Sequence, residues 1–377
     1  MSKRRERVDF EKNKRDVCLL LRRHPDLSRQ QLSDMTGLHR STISKVIRQY
    51  IEAGMIEEMG KIMPHQKRVG KYQVRIGIRD DIGWSLGVGL SAGRADLAVL
   101  GASGSLLRTN VMPFDTPLSS LPPLLSRHLE TWFERDGAPP GDCAAVGVST
   151  SGQVDEARER LLHCCELAVD NYDLAREWSG HFSCPVRVFN GLQAETLCHV
   201  TNPVRPDSES FLYLRLQCRP APGGHDISAA EVALVFRGEL YTGVRGQAGR
   251  FFGPLQQGSH AVVSDEELAM LGDINGGSTV GLDALSEILA NVAISAVGWT
   301  DIDRVILGGA VIPRNELFMQ GLNARAWKIL SEESPDRKPV VEPARVHLPA
   351  AAYSAGLLAC EWAPMSFLRA EPREESN

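Results

Sequence analysis

Polar and basic side chains occupy the positions between the apolar residues of the stretch 39–51. The apolar residues recur at helical spacing and predict a helix with one buried face: Ile43, Val46, Ile47, Tyr50 and Ile51. The opposite face carries His39, Arg40, Ser41, Thr42, Ser44, Lys45 and Arg48. Hydroxyl, imidazole, ammonium and guanidinium groups donate hydrogen bonds to base edges and phosphates, so this face could read a DNA groove. The alternative is an ordinary helical hairpin with a solvated polar face.

The residues before this helix predict how it is held. Ser28 and Gln31 have the spacing of a capping box, which begins a preceding helix. The apolar positions of that helix are Leu32, Met35 and Leu38. Gly37 suits the turn between the two helices, because glycine adopts positive φ without strain. Apolar residues within 17–21 predict a further helix over 10–25, packed beneath the other two. Together these segments predict a helix-turn-helix whose second helix enters the major groove.

A wing is predicted to follow the helix-turn-helix. Residues 55–59 and 72–78 have strand patterns, and residues 61–66 are typical of the turn between them. The basic residues at or near the tip are Lys67, Arg68 and Lys71. We expect them to contact phosphates or the minor groove, and the alternative is that they are ordinary surface residues.

The charge of the chain is divided unevenly. Residues 1–82 contain 19 Lys and Arg against 11 Asp and Glu, a net charge of +8. The remaining residues contain 23 basic and 36 acidic side chains, a net charge of −13. A basic head on an acidic body suits DNA binding at one end of the chain and argues against a body that wraps nucleic acid.

Composition also excludes several protein classes. The N-terminal residues are charged and lack the apolar region of a signal peptide, and no uninterrupted apolar run approaches the membrane-spanning length of about 20 residues. The eight cysteines are scattered without a Cys-x-x-Cys pair, so their spacing predicts neither a disulfide framework nor a zinc site. We therefore expect a cytoplasmic protein with reduced cysteines.

From residue 84 onwards, strand and helix patterns repeat in one order. The first set comprises predicted strands at 84–90, 94–100, 106–112, 144–149 and 184–190, with helices at 124–134 and 192–200. The second set comprises predicted strands at 211–216, 230–236, 239–242 and 304–307, with helices at 281–297, 315–330 and 351–361. Three strands, a helix, a strand and a helix, occurring twice, predict two related α/β lobes that face a cleft.

Five body segments and the whole head now resemble one family in order and spacing. The head reads LSRQQLSDMTGLHRSTISKVIRQYIEAGMIEEMG, and the body segments read AAVGVSTSGQVD, FNGLQAETL, ELYTGVRGQAGRFFG, VILGGAV and AAYSAGLLA. Over about residues 10–362 the chain resembles the ROK family of repressors, open reading frames and kinases.

The resemblance implies an α/β fold in which an N-terminal winged helix-turn-helix precedes a two-lobed, actin-like ATPase body of the sugar-kinase, RNase H-like type. The implied domains are a DNA-binding domain at 1–82, a first lobe at 83–191 and 346–364, a second lobe at 192–345, and a polar tail at 365–377.

The residues that match the kinase chemistry of this family are changed. A family kinase has an Asp-x-Gly-Gly-Thr loop that places Mg²⁺ and phosphate, and the matching stretch begins with Gly89. The family's catalytic base is the Asp of an Asn-Asp pair, which here is Asn190-Gly191. Glu195, one helical turn further on, is a poor replacement because a displaced base seldom keeps its reach. The second phosphate loop matches residues 216–224, where prolines remove N–H groups. We therefore expect no enzyme activity.

The zinc and sugar sites of the family are altered as well. The family's Gly-His and Cys-rich run correspond to Gly253-Pro254 and a segment without cysteine, so we expect no metal and no cofactor. Ser264 and Glu267 form a capping box that predicts a plain helix instead, and His260 is interpreted as a surface residue. The residues left to hold a ligand are Ser151, Asn190 and Arg250. Arg250 suits an acidic or phosphorylated ligand, or else pairs with a structural acid.

These features predict a DNA-binding transcriptional regulator, a repressor of carbohydrate-related genes, with a non-catalytic body that dimerises and senses a ligand. The expected partners are a palindromic operator in double-stranded DNA, a sugar, sugar-acid or sugar-phosphate effector, and a second copy of the chain, without a membrane. One alternative is an active sugar kinase with a DNA-binding head. Another is a regulator whose body serves only for dimerisation or docking.

Overall fold

The computed structural model describes residues 2–62, 73–155, 159–204, 209–243, 248, 262–331 and 334–362. The chain divides into two compact units. The first unit comprises residues 1–190, 200–206 and 352–377, and the second comprises residues 191–199 and 207–351. The head therefore lies in the same unit as the first predicted lobe.

The head is a three-helix bundle with a small sheet. Its elements are α1 (Ser2–Arg23), β1 (Leu27–Ser28), α2 (Arg29–Thr36), α3 (Arg40–Glu52), β2 (Ile56–Ile62) and β3 (Gln73–Ile78). Both hydrogen bonds of the capping box between Ser28 and Gln31 are present, and Gly37 closes α2 with a φ of 71°. Strands β2 and β3 pair antiparallel as a wing, and β1 adds to the other edge of β3. The prediction of a winged helix-turn-helix is confirmed.

The first unit continues into a five-stranded sheet. Its elements are β4 (Trp84–Ser91), β5 (Arg94–Gly101), β6 (Leu106–Pro113), α4 (Leu121–Asp136), β7 (Cys143–Thr150), β8 (Gln153–Asp155), β9 (Arg160–Cys164), β10 (Val169–Tyr172), α5 (Leu174–Ser179) and β11 (Val186–Asn190). The strand order is β11-β7-β4-β5-β6, with β4, β7 and β11 parallel and β4, β5 and β6 antiparallel. Strands β8 to β10 form a separate antiparallel sheet that the sequence pattern did not predict.

The second unit repeats this topology. Its elements are α6 (Gly191–Leu197), β12 (Phe211–Ala221), β13 (Gly224–Phe236), β14 (Glu239–Leu240), β15 (Val262–Val263), α7 (Asp265–Gly272), α8 (Val280–Thr300), β16 (Arg304–Gly309), α9 (Glu316–Ser331) and β17 (Val340–Pro343). The order of its sheet is β14-β13-β12-β16-β17. Read from β6, the first sheet has the corresponding order β6-β5-β4-β7-β11, so the prediction of two related α/β lobes is confirmed. The last helix, α10 (Ala350–Trp362), lies from Ala352 onwards in the first unit.

One stretch of the second unit differs from its predicted conformation. Residues 216–224 were expected to form a loop after a short strand. Instead, β12 continues to Ala221 and pairs antiparallel with β13, with Ala221 opposite Gly224 and a bulge between Gln217 and Arg219. A proline is tolerated near the end of such a hairpin, where a missing N–H costs little ladder hydrogen bonding. The predicted helix after Ser264 is confirmed as α7, and both hydrogen bonds of its capping box with Glu267 are present.

Helix α8 is long and apolar enough to cross a membrane by length and composition alone, with a mean hydropathy of 1.5 over its most apolar window. Two acidic residues, Asp283 and Glu287, interrupt it. Most of its apolar residues lie buried in the core of the second unit together with strands β12 and β16, among them Leu282, Leu285, Leu289, Ala293 and Val297, whereas Val280 and Trp299 near its two ends are exposed. This burial is typical of a helix in the core of an α/β unit.

Candidate nucleic-acid interface and ligand site

Helix α3 separates its residues into two faces, as predicted, except that Ile51, which was expected on the buried face, is 37% exposed in the last turn of the helix. Ile43, Val46, Ile47 and Tyr50 are at most 2% exposed and form the head core with α1 and α2. The opposite face carries the exposed residues His39, Arg40, Ser41, Lys45 and Arg48, with Thr42 and Ser44 half-buried beside them. The structure thus brings all seven predicted recognition residues to one side and to the N-terminal end of one helix.

His39 is the N-cap of α3. Its Nδ1 atom accepts a hydrogen bond from the Ser41 backbone N–H at 3.3 Å and lies 2.8 Å from the Ser41 hydroxyl. The ring is therefore held at the helix N-terminus, where the backbone N–H groups and the helix dipole favour a phosphate.

Lys45 is placed at the edge of this face. Its Nζ atom lies 4.8 Å from the ring centroid of Phe10 on α1, a cation–π contact that holds the ammonium beside that helix. The Tyr50 hydroxyl ties the two helices together by donating to the Lys14 carbonyl at 2.8 Å, and burial raises the pKa of this hydroxyl. The role of Lys45 at base edges stays a prediction, and the wing residues Lys67, Arg68 and Lys71 lie outside the described residues.

The predicted phosphate-loop position in the first unit is occupied by a carboxylate of the same chain. Strands β4 and β5 join through a tight hairpin, in which Gly89 pairs with Asp96 and Ser91 with Arg94. The Ala92 N–H at the hairpin tip donates to Glu166 at 3.1 Å, and the Ser151 hydroxyl donates to the same carboxylate at 2.6 Å. The backbone amide at the hairpin tip is thus satisfied by a carboxylate of the chain itself. Sequence reasoning missed Glu166, because its partners are distant in the chain.

Two of the three predicted ligand residues lie close together. Asn190, at the end of β11, is 7% exposed and donates from its side-chain amide to the Gly152 carbonyl at 2.9 Å. Ser151 stands directly before Gly152, so Asn190 is hydrogen-bonded to the turn that contains Ser151. Arg250, the third, lies outside the described residues, as do Pro254 and His260.

Glu195 is held in a buried ionic cluster. The Tyr213 hydroxyl donates to it at 2.8 Å, and Arg215 lies between the Glu195 and Glu231 carboxylates at 3.5 and 2.5 Å. Burial raises the pKa of Glu195, and the like charge of Glu231 adds to this while Arg215 and Tyr213 oppose it. A carboxylate engaged by two neighbours in the core of the second unit is structural.

No group of three or more His, Cys, Asp or Glu side chains among the described residues is arranged to hold a metal ion.

A shallow pocket of about 440 Å³ lies in the first unit between the end of β6 and helix α4, lined by Phe114, Thr116, Arg127 and His128 among others. Neither Ser151 nor Asn190, the two predicted ligand residues within the described part of the chain, lines this pocket.

Two family models match the chain. Residues 11–66 match a Crp-like helix-turn-helix domain, and residues 85–253 match the ROK family. No curated protein matches the chain. The first range begins within α1 and ends before β3, and the second begins in β4 and extends beyond β14.

Solved structures extend the likeness over nearly the whole chain. A ROK family transcriptional regulator, described as a homolog of the E. coli MLC protein, has a TM-score of 0.61 at 15% identity and covers 94% of this chain and 96% of its own. A ROK family protein from Streptococcus pneumoniae TIGR4 in complex with sucrose has a TM-score of 0.54 at 15% identity, over 75% of this chain and 99% of its own. A ROK family glucokinase from Streptomyces griseus, in complex with glucose and AMPPNP, has a TM-score of 0.54 at 17% identity, over 74% and 99%. At these identities the likeness establishes the fold.

Proposed function

We propose that this chain, which joins a ROK-family domain to an N-terminal Crp-like helix-turn-helix domain, is a DNA-binding transcriptional regulator that represses carbohydrate-related genes. The observation that carries the proposal is helix α3, whose buried face anchors it in the head while its exposed face is basic and hydroxyl-rich. A helix of this kind in a helix-turn-helix enters the major groove. The positive charge of residues 1–82 supports the same role.

We further propose that the body is not an enzyme. Gly89 and Gly191 stand where metal-assisted phosphoryl transfer would need carboxylates. Glu166 supports this, because its carboxylate occupies the Ala92 amide that would face a phosphate. The buried hydrogen bond and ion pair of Glu195 support it too, because a base engaged in this way is not available to a sugar hydroxyl.

The body then serves to dimerise and to sense a ligand. Ser151, Asn190 and Arg250 are the residues we assign to a sugar, sugar-acid or sugar-phosphate effector, without metal or cofactor. Dimerisation pairs two heads on one palindromic operator in the cytoplasm, because a single head reads only a short half-site. The domain limits proposed for this arrangement are 1–82 for the head, 83–191 with 346–364 for the first lobe, 192–345 for the second lobe, and 365–377 for the tail.

The test is DNA titration with a duplex selected from a random pool and a scrambled duplex, each at several salt concentrations. Ser44→Ala or Lys45→Ala should cost about 1–3 kcal/mol on the selected duplex, with little effect on the scrambled one, because a base contact is lost. Lys67→Ala or Arg68→Ala should weaken both duplexes alike and lower the salt slope by roughly one per lost phosphate contact. Lys328→Ala, an exposed change on α9, is the matched control and should leave both affinities unchanged.

Two outcomes would count against these assignments. If helix and wing variants lose affinity in the same proportion on both duplexes, the division into base-reading and phosphate-contacting residues is wrong. If the wild-type protein binds neither duplex, the regulator proposal itself fails.

A thermal-shift screen of sugars, sugar acids and sugar phosphates tests the sensing role separately. A ligand that binds the folded protein raises its unfolding temperature. A shift that Asn190→Ala abolishes supports the sensing role. A flat screen favours the alternative in which the body serves only for dimerisation or docking.

A further inference from the structure

In the β9–β10 hairpin, an imidazole lies in contact with a thiol on one side and a carboxylate on the other. The Cys165 Sγ atom lies 2.9 Å from Nε2 of His163, and Nδ1 of the same ring lies 2.5 Å from Oδ1 of Asp170. His163 and Asp170 face each other in register across the two strands. Cys165 begins the connecting turn, which is closed by a hydrogen bond from the Ala168 N–H to the Cys165 carbonyl at 3.2 Å. The strand register therefore places His163 opposite Asp170, and the turn places Cys165 beside them.

Only one arrangement of the protons on Cys165, His163 and Asp170 lets the imidazole accept the thiol proton. An ionised carboxylate accepts hydrogen bonds and donates none, so Asp170 takes the Nδ1–H of His163. The Nε2 atom of the ring is then the acceptor for the Cys165 S–H. A base within hydrogen-bond reach of a thiol removes its proton, and the thiolate is the nucleophilic form of cysteine. Asp170 holds the ring in this orientation through its contact with Nδ1.

Cys165 is also accessible to a reactant. Among the cysteines whose side chains the structure describes, it alone is exposed: Cys18, Cys164 and Cys360 are buried, and Cys143, Cys184 and Cys198 are half-buried. The side chains of His163 and Asp170 are 55% and 80% exposed. A small molecule in solution can therefore reach the sulfur without any movement of the hairpin.

We propose that Cys165 is a reactive thiol that is modified by low-molecular-weight disulfides, with His163 as its base and Asp170 as a positioning residue. The thiolate sulfur of Cys165 attacks one sulfur of the disulfide, whose S–S bond breaks as the new one forms. Cys165 is oxidised, and the departing half is reduced to a thiolate that takes the proton held by His163. The disulfide itself is the oxidant, so no further reactant is needed.

An adduct on Cys165 would lie next to Glu166. Glu166 follows Cys165 in the turn and accepts hydrogen bonds from Ala92 and Ser151, so an adduct on Cys165 lies beside this contact. The charged groups of the hairpin, besides His163 and Asp170, are Arg160 on β9 and Glu166 in the turn, and those on the elements packed against it are Asp155 on β8 and Arg176 and Glu177 on α5. Opposite His163 on β8 stands the uncharged Gln153. The proposal does not depend on DNA binding.

The experiment follows the reaction of the full chain with excess dithiodipyridine, a neutral disulfide whose release of thiopyridone is read by absorbance. Peptide mapping after the first equivalent should place the adduct on Cys165, and Cys165→Ser should remove the fastest phase. His163→Gln should slow that phase by about tenfold at pH 7, because the thiol loses its base. The two rates should converge near pH 10, above the ordinary thiol pKa of about 8.5.

Two further variants distinguish loss of the base from a general effect of substitution on the fold. Asp170→Asn should slow the reaction at pH 7 by less than His163→Gln does, since the ring remains but is held less well. His181→Gln replaces another exposed histidine of the first unit and should change nothing. A first adduct on any other cysteine, or a pH–rate profile that is the same in wild type and His163→Gln, would overturn the proposal.

Discussion

At the residue scale, a buried charge pair joins the head to the first lobe. The guanidinium of Arg23, at the end of α1, forms a two-pronged contact with the Glu361 carboxylate on α10, with Nη2 2.7 Å from Oε2 and Nε against Oε1. The two side chains are 6% and 8% exposed. Next to them, Nε of Arg22 donates to the Ala102 carbonyl at 2.9 Å. These contacts fix the last turn of α1 to the body.

We expect Glu361→Gln to lower the free energy of unfolding by about 3–5 kcal/mol, because it removes the charge that a buried guanidinium faces. The control is Glu342→Gln, whose partner Arg304 lies at 2.8 Å but whose pair is 37% and 26% exposed. Exposed pairs contribute at most about 1 kcal/mol. Urea unfolding followed by tryptophan fluorescence measures both changes. Equal losses in the two variants would show that the Arg23–Glu361 pair does not hold the junction.

A second prediction at this scale concerns pH. The pKa of Glu195 is raised by burial, so this carboxyl binds more protons in the folded protein than in the unfolded chain between its two pKa values. Its contribution therefore makes stability fall as pH rises from the unfolded pKa of about 4.3 through the folded value. Glu195→Gln should lose less stability than wild type between pH 4.5 and pH 8, as measured by urea unfolding. Glu287→Gln, an exposed change on α8, should follow the wild-type trend.

At the scale of elements, α10 lies directly on the backbone of two parallel strands. Gly87 on β4 and Gly147 on β7 are neighbours in the sheet, and a methyl group on either would overlap the carbonyl oxygens of Ala352 and Ala355 respectively. The Ser85 hydroxyl adds a hydrogen bond to the Gly356 carbonyl at 3.1 Å. The absence of side chains at these two positions lets the helix approach closely enough to cover the sheet.

Gly147→Ala should therefore lower the free energy of unfolding by about 1–3 kcal/mol or more, because the helix must move away from the sheet. Gly180→Ala is the matched control, since φ is −70° there and no heavy atom lies within 4 Å of the added methyl group. Thermal unfolding of the two variants makes the comparison. A Gly147→Ala protein as stable as the Gly180→Ala protein would mean that α10 packs less closely than described.

At the scale of the whole molecule, one topology occurs twice, and the proposed lack of kinase activity depends on a few positions within it. Both sheets have the same strand order, and the solved structures of similar fold include a regulator and a glucokinase. A shared fold does not carry a shared activity, because activity depends on particular side chains. Here the decisive positions are Gly89, Gly191 and the amide covered by Glu166.

The purified protein should therefore release no ADP from ATP above a protein-free blank with any hexose tested, alongside an active sugar kinase as the positive control. Loss of the metal-binding carboxylate and of the base removes both the charge stabilisation and the proton acceptor of phosphoryl transfer. Hexose-dependent turnover that Asn190→Ala abolishes would reverse this conclusion. Turnover by a contaminating kinase would persist in the Asn190→Ala preparation, which distinguishes it from turnover by this protein.

The sequence by itself determined the features that depend on near neighbours in the chain. Capping boxes at Ser28 and Ser264 and the two-faced pattern of α3 involve residues within one or two helical turns, so their spacing is visible in the printed residues. The order of strands and helices likewise predicted two lobes, because each element bears its own hydrophobic period. The resemblance to a family added the positions at which a kinase would need carboxylates.

Only the tertiary structure decided which distant residues meet. The hydrogen bond between Ala92 and Glu166 spans 74 positions, and the Arg23–Glu361 pair spans 338. The short strands β8 to β10 have too few residues for a clear alternation, and they place Cys165 against His163 and Asp170. Local propensity is a property of neighbouring residues, whereas these contacts depend on sheet register and helix packing, which long-range burial selects.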